Sequence, residues 1–151
     1  MVAAVLRDVL ETDLPIFFEQ QRDPEAGRMA AFPARTWDAF LTHWRTRVLV
    51  DPRGRVQTVV VDGQVAGHVV RWEQDGQRLV GYWLGREFWG RGVATAALRE
   101  FLAGEAARPL VAHVAAHNLG SIRVLEKCGF HREGASRGDD GVDELLFRLA
   151  E

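Results

Sequence analysis

The stretch "REFWGRGVATAAL", residues 86–98, places two glycines one residue apart at the start of a helix-forming segment. An apolar run precedes it, so the pattern predicts a strand that passes through a glycine turn into a helix. The first N–H groups of a helix are unpaired, and the helix dipole favours negative charge there. Because Gly90 and Gly92 let a ligand approach the backbone and Arg91 adds a positive charge, we weigh two interpretations equally: a phosphate site, or a tight turn without a ligand.

Two known phosphate motifs fit the stretch poorly. Gly85 and Gly90 have the separation of the P-loop, but Arg91 replaces its lysine and Gly92 replaces its magnesium-binding hydroxyl. Gly90 and Gly92 also fit the dinucleotide-binding fingerprint, but Thr95 stands at its third glycine position. Nucleotide hydrolysis and dinucleotide binding are therefore disfavoured.

Length, composition and charge limit the protein class. The 151 residues are 47% hydrophobic and 26% charged, which predicts one globular domain over residues 1–151. A net charge of −2 argues against a strongly basic nucleic-acid-binding surface. The sequence lacks a membrane-spanning apolar run and a signal peptide, and Cys128 is its single cysteine. These features predict a cytoplasmic protein without disulfides, without a metal site and without membrane or nucleic-acid partners.

Hydrophobic periodicity and turn signals predict the element order β-α-α-β-β-β-α-β-α-β-β. Asp62-Gly63 and Asp75-Gly76 are signals for two-residue hairpins, so the middle of the chain predicts three consecutive antiparallel strands. Residues 22–35 contain two prolines and a glycine and predict a loop. Thr36 is expected to begin one helix and either Asn118 or Ser121 another, and a hairpin is expected across residues 138–141. Strand runs mixed with single helices indicate an α+β fold with a mixed sheet.

Two motifs, in order, resemble those of the GNAT N-acetyltransferase family. "WGRGVA" is similar to the family's acetyl-CoA loop, Q/R-x-x-G-x-G/A, and matches at Gly92 and Ala94, with Trp89 at the Q/R position. "NLGSIRVLEKCGF", residues 118–130, resembles the second family landmark. The tryptophan-glycine-basic-glycine form is similar to the branch of ribosomal-protein N-acetyltransferases.

The resemblance implies a fold and a coenzyme site. The fold is a central, mostly antiparallel mixed sheet flanked by helices, with a splayed parallel strand pair over residues 78–85 and 109–116. The pantetheine arm of acetyl-CoA is expected in the gap beside Leu84, with Asn118 and Ser121 on its other side. The main-chain amides expected to hold the pyrophosphate belong to Trp89, Gly90, Arg91, Gly92, Val93, Ala94 and Thr95.

The resemblance also implies direct attack of an amine on the thioester. The backbone amide near Leu84 is the expected oxyanion donor. Many family members have a tyrosine as general acid at the position that Leu125 occupies here. Glu73 and His68 are the candidate general bases, although each is also explained as a surface or hairpin residue. We interpret the other nearby histidines, His113 and His117, as structural.

The sequence therefore predicts an N-acetyltransferase that uses acetyl-CoA as cosubstrate. The acceptor is a primary amine, either a peptide or protein N-terminus or a small molecule. It is expected between residues 22–35 and 138–141, where Glu25, Asp139 and Asp140 are either substrate contacts or solvated charges. A non-catalytic acyl-CoA-binding or sensor module of the same fold is the alternative, and a homodimer is left open.

Overall fold

The computed structural model describes residues 3–138 and 141–151. Its strands are β1 (Val5–Asp8), β2 (Arg55–Val61), β3 (Gln64–Gln74), β4 (Gln77–Leu84), β5 (Leu110–Ala115), β6 (His131–Arg137) and β7 (Asp143–Leu149). Its α-helices are α1 (Leu14–Arg22), α2 (Pro24–Ala30), α3 (Trp37–His43), α4 (Val93–Ala103) and α5 (Leu119–Lys127). A π-helical turn, Trp44–Val48, continues α3, and single 3₁₀ turns cover Glu11–Asp13 and Arg86–Phe88.

The strands form one mixed sheet in the order β1-β2-β3-β4-β5-β7-β6. Strands β4 and β5 are parallel, and the other neighbours in the described sheet are antiparallel. The expected α+β class and mostly antiparallel mixed sheet are confirmed. The final strand, β7, lies between β5 and β6, an arrangement that the order of elements along the chain does not reveal.

The two predicted tight hairpins are present. Asp62 and Gly63 have φ angles of 50° and 75°, and Asp75 and Gly76 have φ angles of 53° and 77°. Two consecutive positive φ angles are what a type I′ turn requires. These turns connect β2 to β3 and β3 to β4, which fixes the register of the three-strand meander.

The prediction of a loop over residues 22–35 is wrong in part, because this stretch contains α2. The Asp23 carboxylate accepts a hydrogen bond from the Glu25 backbone N–H at 3.1 Å, and Pro24 occupies the first helical turn. Both features stabilise a helix start. The helix ends at Ala30, and the next residue, Ala31, has a left-handed φ of 53°. Pro24 therefore begins a short helix here.

The parallel strands β4 and β5 separate soon after they meet, as the resemblance implied. Among the described residues, Leu79 and Val111 form the one backbone pair between them. Beyond this pair the two strands diverge toward their C-terminal ends and leave a gap in the sheet. The main hydrophobic core packs α4 and α5 against one face, and a smaller cluster lies under α1 and α3 on the other. The gap therefore opens between two packed layers.

Candidate active site

The glycine loop forms an open cradle at the start of α4. Gly90 and Gly92 have φ angles of 71° and 76°, and a Cβ atom on either would meet no heavy atom within 4 Å. Gly92 is the N-cap of α4 and supplies no side chain to the unpaired N–H groups of the first turn. The Trp89 indole N–H donates to the Leu84 carbonyl at 3.1 Å and holds the loop against the end of β4. The cradle can accept an anion from the solvent side.

A groove of about 400 Å³ extends from this cradle. Nine of the ten residues that the sequence predicts for coenzyme binding line this groove: Leu84, Trp89, Gly90, Gly92, Val93, Ala94, Thr95, Asn118 and Ser121. The tenth, Arg91, is absent from the groove wall, and its guanidinium lies 5.6 Å from the centre of the Phe88 ring. Two segments far apart in the sequence thus line one continuous cavity.

Other parts of the groove wall escaped the sequence analysis. Arg123 and Lys127 lie four residues apart on α5, so they share a helix face, and both line the groove. Neither makes an ion pair with an acid in the described part of the chain. Helix α2 contributes Met29 and Ala30 to the opposite wall. This wall was missed because its residues were assigned to a loop.

Asn118 and Ser121 meet a third polar residue in the groove. The Asn118 side-chain oxygen accepts a hydrogen bond from the Ser121 backbone N–H at 3.2 Å, which confirms Asn118 as the cap of α5. The Ser121 hydroxyl lies 2.7 Å from the hydroxyl of Tyr82, which reaches it from β4. Burial raises the pKa of Tyr82 to about 12, so the phenol is protonated at neutral pH.

A second, smaller cavity of about 140 Å³ adjoins the groove. Ala30, Tyr82, Asn118 and Ser121 line both cavities and form the boundary between them. In the smaller cavity, the Nδ1 atom of His113 on β5 lies 3.0 Å from the Glu144 carboxylate on β7. The sequence analysis interpreted His113 as structural and did not single out Glu144.

The position of His113 follows from strand geometry. Its neighbours on β5, Ala112 and Val114, are buried in the main core, so His113 points to the opposite face of the sheet. Gly81 and His113 each lie two residues beyond the paired Leu79 and Val111 on the diverging strands, and both line the smaller cavity. In the sequence, the alternation of apolar and polar residues along β5 is the signal that could have placed His113 on this face.

The candidate base Glu73 lies near the other end of β3. Gly67 pairs with Leu84, and Glu73 is six residues further along β3, about 20 Å away at ~3.4 Å per residue. Its carboxylate lies 3.9 Å from both Arg53 and Arg78, beside the second hairpin. Glu73 therefore cannot reach a group bound beside Leu84.

The candidate base His68 is enclosed in the smaller core. Its ring centre lies 4.9 Å from that of Phe17 and 4.8 Å from that of Trp44, and neither cavity includes it. Burial lowers the pKa of His68 to about 3, because the charged imidazolium would lose hydration. His68 is thus neutral at pH 7 and has no path to a substrate through either cavity.

The acidic residues expected near the acceptor have different surroundings. Glu25 lies on α2 and pairs with Arg28 at 2.5 Å, so its charge is already compensated. The Arg28 carbonyl accepts a hydrogen bond from His117 Nε2 at 2.7 Å, which ties α2 to the end of β5. Asp139 and Asp140 lie outside the described residues.

The family profile of the acetyltransferase (GNAT) domain matches residues 4–131. The chain belongs to the GNAT acetyltransferase domain family. The GNAT profile covers both motifs identified in the sequence.

Individual relatives support the same assignment. The probable N-acetyltransferase YjcK of Bacillus subtilis (strain 168) is 43% identical over 63 residues, which cover 38% of this chain and 34% of YjcK. The match therefore spans about a third of the length of that curated relative.

Two solved GNAT structures superpose over nearly the whole chain. Spermidine N-acetyltransferase from Vibrio cholerae, in complex with CoA and spermine, has a TM-score of 0.84 at 17% identity, over 97% of this chain and 95% of that one. RimL, a ribosomal-protein alpha-N-acetyltransferase in complex with CoA, has a TM-score of 0.77 at 17% identity, over 98% and 94% of the two chains. At these identities the likeness establishes a shared GNAT fold.

The described residues contain no group of three or more His, Cys, Asp or Glu side chains that could hold a metal ion. Across residues 3–138 and 141–151, no helix combines the length and apolarity needed to span a membrane.

Proposed function

We propose that this GNAT domain, taken as one unit over residues 1–151, transfers an acetyl group from acetyl-CoA to a primary amine within a ternary complex. One observation carries the proposal: the groove that begins at the glycine cradle meets a second cavity containing a histidine–carboxylate pair. A long coenzyme and a smaller acceptor can thus enter separate cavities that share a boundary. The relatives' names, which describe N-acetyltransferases, agree with this chemistry.

The groove wall fits the coenzyme in charge and shape. The N–H groups of Val93, Ala94 and Thr95 lie in the first turn of α4, where a pyrophosphate is favoured. Arg123 and Lys127 supply positive charge from α5 without competing acids among the described residues. When acetyl-CoA is bound, its thioester supplies an activated acyl carbon.

The open edge of β4 supports the rest of the assignment. Beyond Leu79 the described residues of this strand have no backbone partner on β5, so this edge can pair with the amides of the pantetheine arm. We assign the oxyanion donor to the β4 backbone near Leu84, where the carbonyl already accepts the Trp89 indole N–H.

His113 is the group that can take a proton from the acceptor amine. An ammonium has no lone pair, so the amine must be neutral before it attacks. The contact with Glu144 favours a hydrogen on Nδ1, which leaves the lone pair of Nε2 to accept a proton. The carboxylate also stabilises the imidazolium that forms. His113 thereby replaces Glu73 and His68 as the proposed general base.

The test measures binding and turnover separately. Titration calorimetry with coenzyme A is expected to give 1:1 binding, and release of free coenzyme A is expected when acetyl-CoA and a panel of polyamines, aminoglycosides and N-terminal peptides are added. His113→Gln is expected to lower turnover by about 10²-fold or more, the usual contribution of a general base, with coenzyme affinity unchanged. His131→Gln, an exposed histidine on β6, is the matched control.

Each outcome separates the candidate functions. Coenzyme binding without turnover on every amine class would identify the chain as a non-catalytic acyl-CoA module. No heat and no thermal shift at millimolar coenzyme A would refute both functions. The amines of the panel that are acetylated identify the acceptor class. The cytoplasmic location and the oligomeric state are predictions from the sequence.

A further inference from the structure

Tyr82 lies at the boundary between the two cavities and has no part in the proposed proton transfer to His113. Its hydroxyl reaches α5 at Ser121, one helical turn before Leu125. Leu125 is 3% exposed and has no polar atom in its side chain. The boundary between the cavities therefore receives a phenol from β4, although α5 offers only an apolar residue at the next turn.

The Tyr82–Ser121 hydroxyl pair has one hydrogen-bond donor to spare. Two hydroxyl groups carry two hydrogens, and their mutual contact at 2.7 Å uses one of them. The Ser121 backbone N–H is already bound by Asn118, so it does not compete for either hydroxyl. Whichever hydroxyl donates within the pair, the other hydrogen is available to a third atom at the boundary.

We propose that the Tyr82–Ser121 hydroxyl pair donates a hydrogen bond to the sulfur atom that leaves when the thioester is cleaved. The inference rests on the proposed acetyl transfer. In that step the neutral amine nitrogen bonds to the acyl carbon, and the carbon–sulfur bond breaks with its electron pair going to sulfur. The excess proton on nitrogen passes to His113, which has by then released the ammonium proton to solvent. The free hydroxyl hydrogen of the pair then stabilises the negative charge on sulfur.

The size of the effect follows from the charge of the acceptor. A hydrogen bond to a charged group contributes enough to change an equilibrium or a rate by about tenfold to a hundredfold. The same interaction lowers the pKa of the bound coenzyme thiol, because it stabilises the thiolate and not the thiol. Tyr82→Phe combined with Ser121→Ala removes both hydroxyls, since Ser121 alone could still donate to sulfur, and it retains the aromatic ring and its packing.

The experiment titrates the thiol of coenzyme A bound to the protein, by the ultraviolet absorbance of the thiolate. Cys128 also contains a thiol, and its contribution is subtracted with a titration of the coenzyme-free protein. We expect the bound thiol to titrate about one to two pH units higher in the double variant Tyr82→Phe/Ser121→Ala than in the wild type. Turnover is expected to fall tenfold to a hundredfold. Thr46→Val, which removes an exposed hydroxyl outside both cavities, is expected to match the wild type.

The outcomes distinguish this inference from the proposed function. Identical thiol titrations in the double variant Tyr82→Phe/Ser121→Ala and the wild type, with coenzyme A bound to both, would overturn the hydroxyl-pair assignment while leaving acetyl transfer intact. Failure of the wild type to bind coenzyme A would overturn both. A difference in the thiol pKa cannot arise from a purely structural role of the two hydroxyls if the two proteins bind the thiol form of coenzyme A equally well.

Discussion

Replacing Gly92 by valine tests whether the cradle at α4 binds a ligand. Gly92 is the N-cap of the helix and lines the groove. Gly76, in the second hairpin, offers a matched control because it lies outside both cavities. The φ angles of Gly92 and Gly76 are 76° and 77°, and a Cβ at either position would meet no heavy atom within 4 Å. Gly92→Val and Gly76→Val therefore impose the same kind of backbone strain.

The expected magnitudes separate strain from binding. A left-handed conformation costs an L-residue about 1–2 kcal/mol, which corresponds to a decrease of about 2–8 °C in the melting temperature of a chain this size. Both variants are expected to show this decrease. Only Gly92→Val places methyl groups where the pyrophosphate would lie, at a further cost to binding of about 1–3 kcal/mol, or about fivefold to more than a hundredfold in affinity.

The assay combines thermal melts by circular dichroism with calorimetric titration of coenzyme A. We expect Gly76→Val to bind coenzyme A as the wild type does and Gly92→Val to bind it much more weakly, although both remain folded at 25 °C. Because the Cβ atom is equally free of contacts at both positions, a loss of affinity in Gly92→Val alone indicates contact with the ligand. Equal affinity in the two variants would refute a pyrophosphate site and leave the stretch as a turn.

Three further predictions follow from the positions of other residues. Glu73→Gln is expected to retain wild-type turnover at every pH between 6 and 9, because Glu73 is about 20 Å from Leu84 along the strand. A loss of turnover comparable to that of His113→Gln would contradict the placement of Glu73 outside the active site. His68 has a lowered pKa, so the unfolded state takes up a proton below about pH 6.5 and the folded state does not until about pH 3. Stability is therefore lost as pH falls, by about 2 kcal/mol between pH 7 and 5, and urea denaturation should show a smaller loss in His68→Leu. Asp13→Asn is expected to lower the free energy of unfolding by about 3 kcal/mol in urea denaturation, because the buried Asp13 carboxylate accepts two hydrogen bonds from Arg7; a loss below the error of the fit would show that the pair is dispensable.

Local signals in the sequence were enough for most of the fold. The hairpins at residues 62–63 and 75–76 were predictable because a type I′ turn selects for residues that tolerate positive φ at those positions. The caps at Thr36 and Asn118 were predictable because the bonds they make reach only three residues along the chain. Helix α2 was missed because the two prolines and Gly27 were interpreted as loop signals. Asp23 and Pro24 are in fact a helix-start signal.

The coenzyme groove was also largely predictable. Most of its residues belong to two motifs, each a continuous stretch of sequence. The position of one motif relative to the other depends on only one helix and one strand between them. Trp89 departs from the family pattern, but its indole N–H holds the loop to the Leu84 carbonyl, a contact that no motif indicates. The family resemblance supplied the splayed strand pair, which composition and periodicity do not reveal.

The sequence by itself determined the glycine cradle, the two tight hairpins and the element order apart from α2, because each depends on the φ preferences and hydrogen bonds of neighbouring residues. Tertiary structure alone decided which polar groups meet at the gap. His113 and Glu144 come together because β7 lies beside β5, and Tyr82 and Ser121 come together because α5 packs against the diverging end of β4. Such contacts depend on strand register and helix packing between segments about 30 to 40 residues apart, and no local pattern encodes that distance.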